Sequence, residues 1–589
     1  MKQTQWYKDG VFYQIWPRSF KDGNSDGMGD LWGVIDKLDY IQSLNVDGIW
    51  FSPLYCSPGA DCGYDISDYM KIAPEFGGME AFRRLLTEAH KRGLKIIMDL
   101  VVNHTSDEHE WFQKSRQRID PYTDYYIWRP KKPNGKLPNN WASMFEGDSA
   151  WQWDEVRKEY YLHLFAIKQP DLNMDNPLVR EEVKKILKFW LDFGVDGFRE
   201  DVITFISKEE GLPDDLPIPG FSGILKYNHG PHIHEYLQEF RQDVLQHYDC
   251  MTLAEAPLVT PKRAMTYISE LDPKHHDIDM MIQFQCMCAD CLFSDYIPMK
   301  FSLRRLKRAF RRWQVKLHGK AWNMLYLENH DHPRVISRYG SEKFRTASGK
   351  ALAVSYLFQQ GTPFIYQGQE IGMTNWRPKS IDMYEDVQTL NQHLNDPEEK
   401  RLKLYHRASR DSARTPMQWT GGDHAGFSEH EPWLYVNENY REINVEQEEN
   451  DPDSLLNFYR KAVALRKSLK VVRDGKYREY GIFSNKIYVY ERVLDGETDA
   501  AVLPREEREE TPSESAFEEP KAMSAQPKRI LVICSFSEKP MRFLMRRGIS
   551  LANADLLLGS YPVKETSKVK TDGSTILRPY EARVYSIPG

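Results

Sequence analysis

The run NPLVREEVKKILKFWLDFGVDGFREDVI, residues 176–203, carries a helix and a strand in succession. Asn176 can cap the helix, and Pro177 takes its first position, where a missing N–H costs nothing. The amphipathic segment runs to Gly194, and GVDGFREDVI, opening at that glycine, is an apolar, strand-like run. Working outward, seven more such runs appear: VFYQI from Val11, VDGIWFSPL from Val46, LKIIMDLVVNH from Leu94, MTLAEA from Met251, IDMMIQF from Ile278, NMLYLENHD from Asn323 and TPFIYQGQE from Thr362. Each is followed by a helical candidate before the next; GGMEAFRRLLTEAHKRG from Gly77 and EKFRTASGKALAVSYLFQQ from Glu342 are clear examples. Eight βα units on one chain predict an α/β fold of the (β/α)8 or TIM-barrel type, with its reactive residues at the C-terminal ends of the strands.

Two stretches depart from a plain barrel. Residues 104–174 separate the third strand from the Asn176 helix, far more than the 2 to 6 residues of an ordinary βα loop. With WRPKKPNGKLPNNWASMF and the paired aromatic runs YYIW and YYLHLF, they predict an inserted lid domain over the barrel mouth. Beyond residue 475 the helical period disappears, and YREYGIF, KIYVYERV, RILVICSFS, MRFLM and EARVYSI predict a C-terminal β-sandwich. The expected division is therefore a barrel of residues 1–103 and 175–475, a lid of 104–174 and a sandwich of 476–589. Residues 494–528 are acidic, Pro-bearing and nearly free of aromatics, and predict a flexible insertion between two strands.

The net charge of -7 gives no basic footprint for nucleic acid or anionic lipid, so a small, neutral partner is expected. Aromatics at 13% suit sugar stacking, although most belong in the core. There is no apolar run of about 18 residues and no apolar stretch behind the N-terminal lysine, so neither a membrane span nor a secretory signal is expected. Seven cysteines fit reduced thiols better than a disulfide framework, and a cytoplasmic monomer is the expectation.

Carboxylates cluster at the predicted strand ends: Asp99 and His104 in DLVVNH, Arg199 and Asp201 in GFRED, Glu255 in AEAP, His330 and Asp331 in ENHD. Carboxylates at the ends of strands four, five and seven converge on one pocket in such a barrel. Together these segments resemble the α-amylase family of glycoside hydrolases, from Tyr13 to about Phe536. QPDLN at 169–173, GTPFIYQGQEIGMTN at 361–375, ARTPMQW at 413–419 and GYDISDY at 63–69 resemble its oligo-1,6-glucosidase branch in particular.

That resemblance implies a retaining, exo-acting α-glucosidase in which Asp201 is the nucleophile, Glu255 the acid and then base, and Asp331 the stabiliser of the transition state. Arg199, on the same strand face as Asp201, is expected to keep that carboxylate ionised. Glu255, among Ala254, Ala256 and Pro257, is expected to hold its proton. The resemblance further implies that His104 and His330 donate to the terminal glucose, that Tyr64 stacks beneath it, and that Asp61 and Arg414 clasp its far side. Phe145, Phe165 and Gln169 would line the pocket from the lid. Val202, following the nucleophile, goes with α-1,6 preference in this branch, where Ala goes with α-1,4; isomaltose, panose and short isomalto-oligosaccharides are the implied substrates.

KDGNSDGMGDL, residues 21–31, spaces oxygen ligands like a calcium loop: Asp22, Asn24, Asp26 and Asp30, with Gly27 at the turn and Met28 lending its carbonyl. It lacks the final Glu of an EF-hand and follows a strand. Members of the branch carry a structural Ca2+ or Mg2+ there, so an architectural ion and no catalytic cofactor are expected.

Some residues depart from the branch. Glu200 stands where an apolar residue is usual and is expected to find a basic or amide partner among the helices. Cys62 replaces Asn beside Asp61. Cys286, Cys288 and Cys291 occupy a segment that normally lacks thiols; reduced core or pocket-wall cysteines are expected in preference to a zinc site. The alternatives within the fold are an α-1,4-glucosidase, a sucrose isomerase or other transglucosidase, for which SLRRLKRAF replaces the expected RLDRD, and a trehalose-6-phosphate hydrolase, which usually reads QADLN. A non-enzymatic transporter heavy chain would need a membrane span.

Overall fold

The computed structural model describes residues 4–145, 147–218, 220–392, 395–494, 526–544, 551, 554–562, 569–570 and 574–587. All eight apolar runs form parallel strands of one sheet: β1 Phe12–Ile15, β2 Gly48–Phe51, β3 Lys95–Leu100, β4 Gly197–Glu200, β5 Met251–Glu255, β6 Met280–Ile282, β7 Met324–Leu325 and β8 Thr362–Tyr366. Their spatial order is β6-β5-β4-β3-β2-β1-β8-β7, and a parallel bridge between Met281 and Asn323 joins the two ends into a barrel. Every residue of β1, β2, β4, β5 and β8 is buried, because helices cover the outside and side chains fill the inside. This double burial is why the runs read as continuously apolar rather than alternating.

The surrounding helices follow their caps. Asn176 accepts a hydrogen bond from the Leu178 N–H at the start of the helix Pro177–Phe193, which buries Val183, Ile186, Leu187, Trp190 and Leu191 against the barrel. Gly194 ends it at φ 113°, a conformation that favours glycine, and so turns the chain into β4.

Residues after β3 form a helix, Glu110–Arg116, and a three-stranded sheet in which Trp128 faces Tyr161, so the two aromatic runs do pair. The core of this insertion gathers Ile127, Trp141, Phe145, Trp151, Leu162 and Phe165. Val202 and Phe205, just beyond β4, belong to the same cluster. The lid is thus seated on the end of β4, beside Asp201.

After residue 475 the strands Lys476–Tyr480, Ile487–Val493, Arg529–Ser535, Ala582–Ser586 and Asp555–Gly559 make an antiparallel sheet, with Met541–Leu544 and Ser574–Leu577 as a separate ladder. One face of the sheet, with Tyr488, Tyr490, Ile530, Val532 and Val584, merges with the barrel core. The other, with Val489, Leu531 and Ile533, meets Phe543 and Leu577 of the ladder. Of the predicted acidic insertion, residues 495–525 lie outside the described residues. Among the described residues, no helix is long and apolar enough to cross a membrane.

Candidate active site

Strand register brings the charged groups together. Asp99 of β3 lies opposite Arg199 of β4, and the ladder continues as the Asp201 N–H donates to Leu100 O at 2.9 Å. Arg199 is fully buried, and its Nη1 donates to Asp99 at 2.7 Å and to Asp201 at 2.6 Å, while Nη2 donates to Glu255 at 2.6 Å. The sequence paired this guanidinium with Asp201; the structure shows it shared by three carboxyls, because adjacent strands of a closed barrel aim their ends at one point. Burial, resisted by Arg199 and reinforced by Glu255, Asp99 and Asp331, raises the Asp201 carboxyl well above the usual range. Burial likewise pushes Asp99 up to about 7. Arg199 acts on Asp201 in the expected direction, favouring its ionised form, but against the larger opposing effect of burial. Burial outweighs the single guanidinium for both of these aspartates, because Arg199 divides its charge among three carboxyls.

Asp331 lies in different surroundings. Burial would raise it, but His330, Arg410 and Arg414 hold it well below the usual range. Arg414 Nη2 is 3.1 Å and Arg410 Nη1 3.3 Å from Asp331 Oδ1. His330 is itself pushed down to about 4 by burial, so at neutral pH it contributes a hydrogen bond while the arginines contribute charge. The Gln14 amide meets His330 Nδ1 at 2.7 Å, which leaves the proton on Nε2, facing Asp331 at 3.0 Å and Tyr64 Oη at 2.5 Å. Trp16 stacks on the imidazole, with ring centroids 5.3 Å apart. Both nitrogens of His330 are thus engaged within the protein, and so is the Tyr64 hydroxyl; the Tyr64 ring lies parallel to His330 and beside Arg199.

The remaining predicted residues close around the same point. Gln169 Nε2 lies 3.2 Å from both Asp61 and His104. Asn103 meets His104 Nδ1 at 3.2 Å, with the Asp171–Lys208 ion pair behind it. Phe145 packs against Phe165, and Phe165 against His104. Asp61 and Arg414 line one cavity of about 210 Å³, but the guanidinium in salt-bridge range of Asp61 is that of Arg410, at 3.3 Å. Arg410 also binds Asp386 at 2.6 Å and covers the face of Phe145. Sequence reasoning missed Arg410 and Asp386; the signal for the first was its place one helical turn before Arg414. Beside them, Cys62 adopts φ 49°, a left-handed conformation that suits the Asn it replaces better than Cys.

Val202 carries backbone strain. A β-branched residue at φ 35° is an outlier, yet here it turns the Val202 N–H onto Glu255 Oε2 at 3.1 Å and its side chain into the lid cluster. Glu200 faces outward as expected, but among the described residues its Oε2 is buried with no hydrogen-bond partner. Burial, reinforced by Asp279, pushes its carboxyl up to about 8 against the pull of Arg241. Arg241 is a basic neighbour of the kind expected, but its pull does not offset burial, so the neutral form of the carboxyl is favoured.

In the opening loop, Asp22 accepts from the N–H groups of Asn24, Ser25 and Gly27 and from Ser428 Oγ. Asp26 accepts from Met28 N and from the Asn24 amide. Gly27 sits at φ 90°, where a Cβ would come within 2.3 Å of Glu431 O. Asp30 caps the helix Leu31–Asp36 through Gly33 N at 2.7 Å, while its Oδ2 is buried without a partner, an orphan that a cation would satisfy. That orphan and the neighbouring Asp22 and Asp26 carboxyls are what a divalent ion at this loop would draw on. The seven cysteines are free; Cys286 is a core residue whose thiol donates to Gln283 O and Tyr326 O.

Known proteins agree with this geometry. The sequence profile described as alpha amylase, catalytic domain, matches residues 14–475. The oligo-1,6-glucosidase of Parageobacillus thermoglucosidasius is 47% identical over 99% of both chains. Among solved structures, the trehalose-6-phosphate hydrolase of Bacillus licheniformis superposes with a TM-score of 0.86 at 39% identity, covering 98% of this chain and 99% of that one. The trehalulose synthase of Pseudomonas mesoacidophila MX-45 superposes with a TM-score of 0.88 at 37% identity, covering 99% of this chain and all of that one. With full-length relatives of this similarity, and carboxylates gathered at the C-terminal ends of a closed eight-stranded barrel, this chain belongs to the α-amylase family of glycoside hydrolases.

Proposed function

We propose that this α-glucosidase is a retaining, exo-acting oligo-1,6-glucosidase that removes the terminal glucose of isomaltose, panose and short isomalto-oligosaccharides. The observation that carries the reading is the buried fork of Arg199 with Asp201 on one nitrogen and Glu255 on the other. Carboxyls that share one guanidinium are close, which favours the separation of about 5 to 5.5 Å used for retention. In the first step Glu255 gives a proton to the glycosidic oxygen while Asp201 attacks the anomeric carbon, and the aglycone leaves as an alcohol. In the second, Glu255 takes a proton from water, whose oxygen displaces Asp201. Asp331, ionised between two arginines, faces the positive charge of the oxocarbenium-like transition state.

Gln169, His104, Asp61 and Arg410 contact one another at the closed end of the pocket, which suits a single non-reducing glucose and favours exo-action. His330 acts here through Asp331, by orienting it. Asp22, Asn24, Asp26, Asp30 and the Met28 carbonyl would hold Ca2+ or Mg2+, which when bound braces the loop ahead of the first barrel helix and takes no part in the reaction.

Val202 narrows the space beside the leaving sugar, and a 1,6 link sets that sugar farther out on a CH2 arm. Activity on isomaltose, maltose, sucrose and trehalose, with proton NMR of fresh product, tests the reading: isomaltose is expected to be preferred and α-glucose to appear first. First appearance of β-glucose would refute retention. Val202→Ala should shift the isomaltose-to-maltose ratio of kcat/KM toward maltose by about 10- to 200-fold, the worth of one apolar contact. An unchanged ratio removes Val202 as the determinant.

A further inference from the structure

Lys208 is a buried cation to which the glycosidic chemistry gives no role. It lies beyond β4, just past the turn Ile203–Phe205. Its Nζ donates to Asp171 Oδ2 at 2.8 Å and to Asn103 Oδ1 at 2.9 Å. Asp171 belongs to the inserted lid, where its other oxygen accepts from the Leu164 N–H at 2.9 Å, and Asn103 to the loop leaving β3. Those two segments also pair through the backbone: Leu172 N donates to Asn103 O at 2.9 Å and Thr105 N to Pro170 O at 3.2 Å. Lid, β3 loop and β4 loop thus meet at one ammonium.

An ammonium has donors only, so this contact dictates which way the Asn103 amide faces. The amide oxygen turns to Lys208, and the nitrogen is left to donate to Asp171 Oδ2 at 3.1 Å and to His104 Nδ1 at 3.2 Å. A ring nitrogen that meets an N–H must be the acceptor, and the single proton of a neutral imidazole then sits on the other nitrogen, Nε2. Burial holds His104 down to about 4, so it is neutral at neutral pH. Its Nε2 lies beside the amide nitrogen of Gln169, whose own orientation is fixed because its oxygen accepts from the Ala166 N–H at 3.0 Å. Two N–H groups therefore lie side by side at the closed end of the pocket, an arrangement suited to a hydroxyl oxygen as shared acceptor. We propose that Lys208 is a positioning residue: by fixing the Asn103 amide it holds His104 in the Nε2–H tautomer, the form that can donate to a hydroxyl of the terminal glucose. The effect on turnover rests on the reading that His104 meets that glucose. A plain counter-ion for Asp171 would need only the first of the two Lys208 bonds.

The test combines kinetics on an aryl α-glucoside with NMR of the full chain carrying ring-15N histidine. Lys208→Met is expected to lower kcat/KM by about 10- to 100-fold, with partial recovery in Lys208→Arg, which keeps the charge and the donors. Asn103→Ala leaves the Lys208–Asp171 pair intact, so it folds without a stranded carboxylate, and it should lose a similar factor. In a His104→Ala background neither substitution should cost more, because the residue through which both act is gone. A loss that persists in full in that background, or an Asn103→Ala chain with wild-type kcat/KM, overturns the proposal and leaves Lys208 a counter-ion. The ring signals, with His104 assigned by its absence in His104→Ala, should report Nε2–H in the wild type and a gain of Nδ1–H in Lys208→Met and Asn103→Ala. Nδ1–H in the wild type overturns the proposal whatever the kinetics. The tautomer is read without substrate, so the expected shift together with wild-type kcat/KM in His104→Ala would refute the glucose contact of His104 and uphold the action of Lys208 on the ring.

Discussion

A carboxyl taken out of water must find a positive partner, several N–H donors or a proton, and this chain uses all three. Asp331 has arginines, Asp22 has backbone N–H groups, and Glu200 keeps a proton. The last choice has a measurable consequence. The carboxyl of Glu200 ionises near 4.5 in the unfolded chain and near 8 in the folded one, so between those values the folded state binds the extra proton and stability falls as pH rises. Each pH unit in that window costs roughly 1.4 kcal/mol. Glu200→Gln, which cannot ionise, should remove this loss: denaturant midpoints of variant and wild type should differ little at pH 4.5, with the variant gaining progressively toward pH 8. A difference that stays flat across the window would mean that Glu200 is ionised in the folded chain. The strain at Val202 works in the opposite direction, since a left-handed valine is retained where its N–H and side chain serve the site.

At the scale of the element, the opening loop combines two functions in Asp30. One oxygen caps the helix Leu31–Asp36, and the other is the buried orphan that a cation would satisfy. Asp26 touches only the loop. The two can be separated calorimetrically. Asp30→Ala should lose about 0.5 to 2 kcal/mol from the missing cap even in excess chelator. Asp26→Ala should lower Tm more when Ca2+ or Mg2+ is present than in excess chelator, because an ion that binds the folded state alone adds to its stability. Wild-type Tm unaffected by both chelator and added ion would refute the metal reading and leave the cap.

At the scale of the molecule, a single apolar core runs from the barrel into the C-terminal sheet. Tyr488, Ile530 and Val584 belong to the same cluster as Ile49, Ile97 and Leu352. The sheet therefore covers the barrel helix Arg345–Leu357, and Gln359 and Tyr488 hydrogen-bond across the contact at 3.2 Å. Barrel and sheet should unfold together. Scanning calorimetry is expected to give one transition for both, and a chain ending at residue 475 should expose the helix face and aggregate. Two resolved transitions, one surviving in the truncated chain, would show the sheet to be an independent unit.

The sequence alone determined which segments become the barrel, because each strand is buried on both faces and each helix on one, and those patterns are local. It also located the carboxylates, since residues beyond a strand end in such a barrel have only one direction to point. Tertiary structure decided what no local pattern encodes: that Arg199 serves Asp99 and Glu255 as well as Asp201, that Arg410 rather than Arg414 reaches Asp61, and that the buried Glu200 Oε2 has no hydrogen-bond partner among the described residues. Charge pairing depends on distances between strands and loops far apart in the chain. The proton each carboxyl keeps depends on how much water the lid and barrel exclude together, which is fixed only once both have folded around the site.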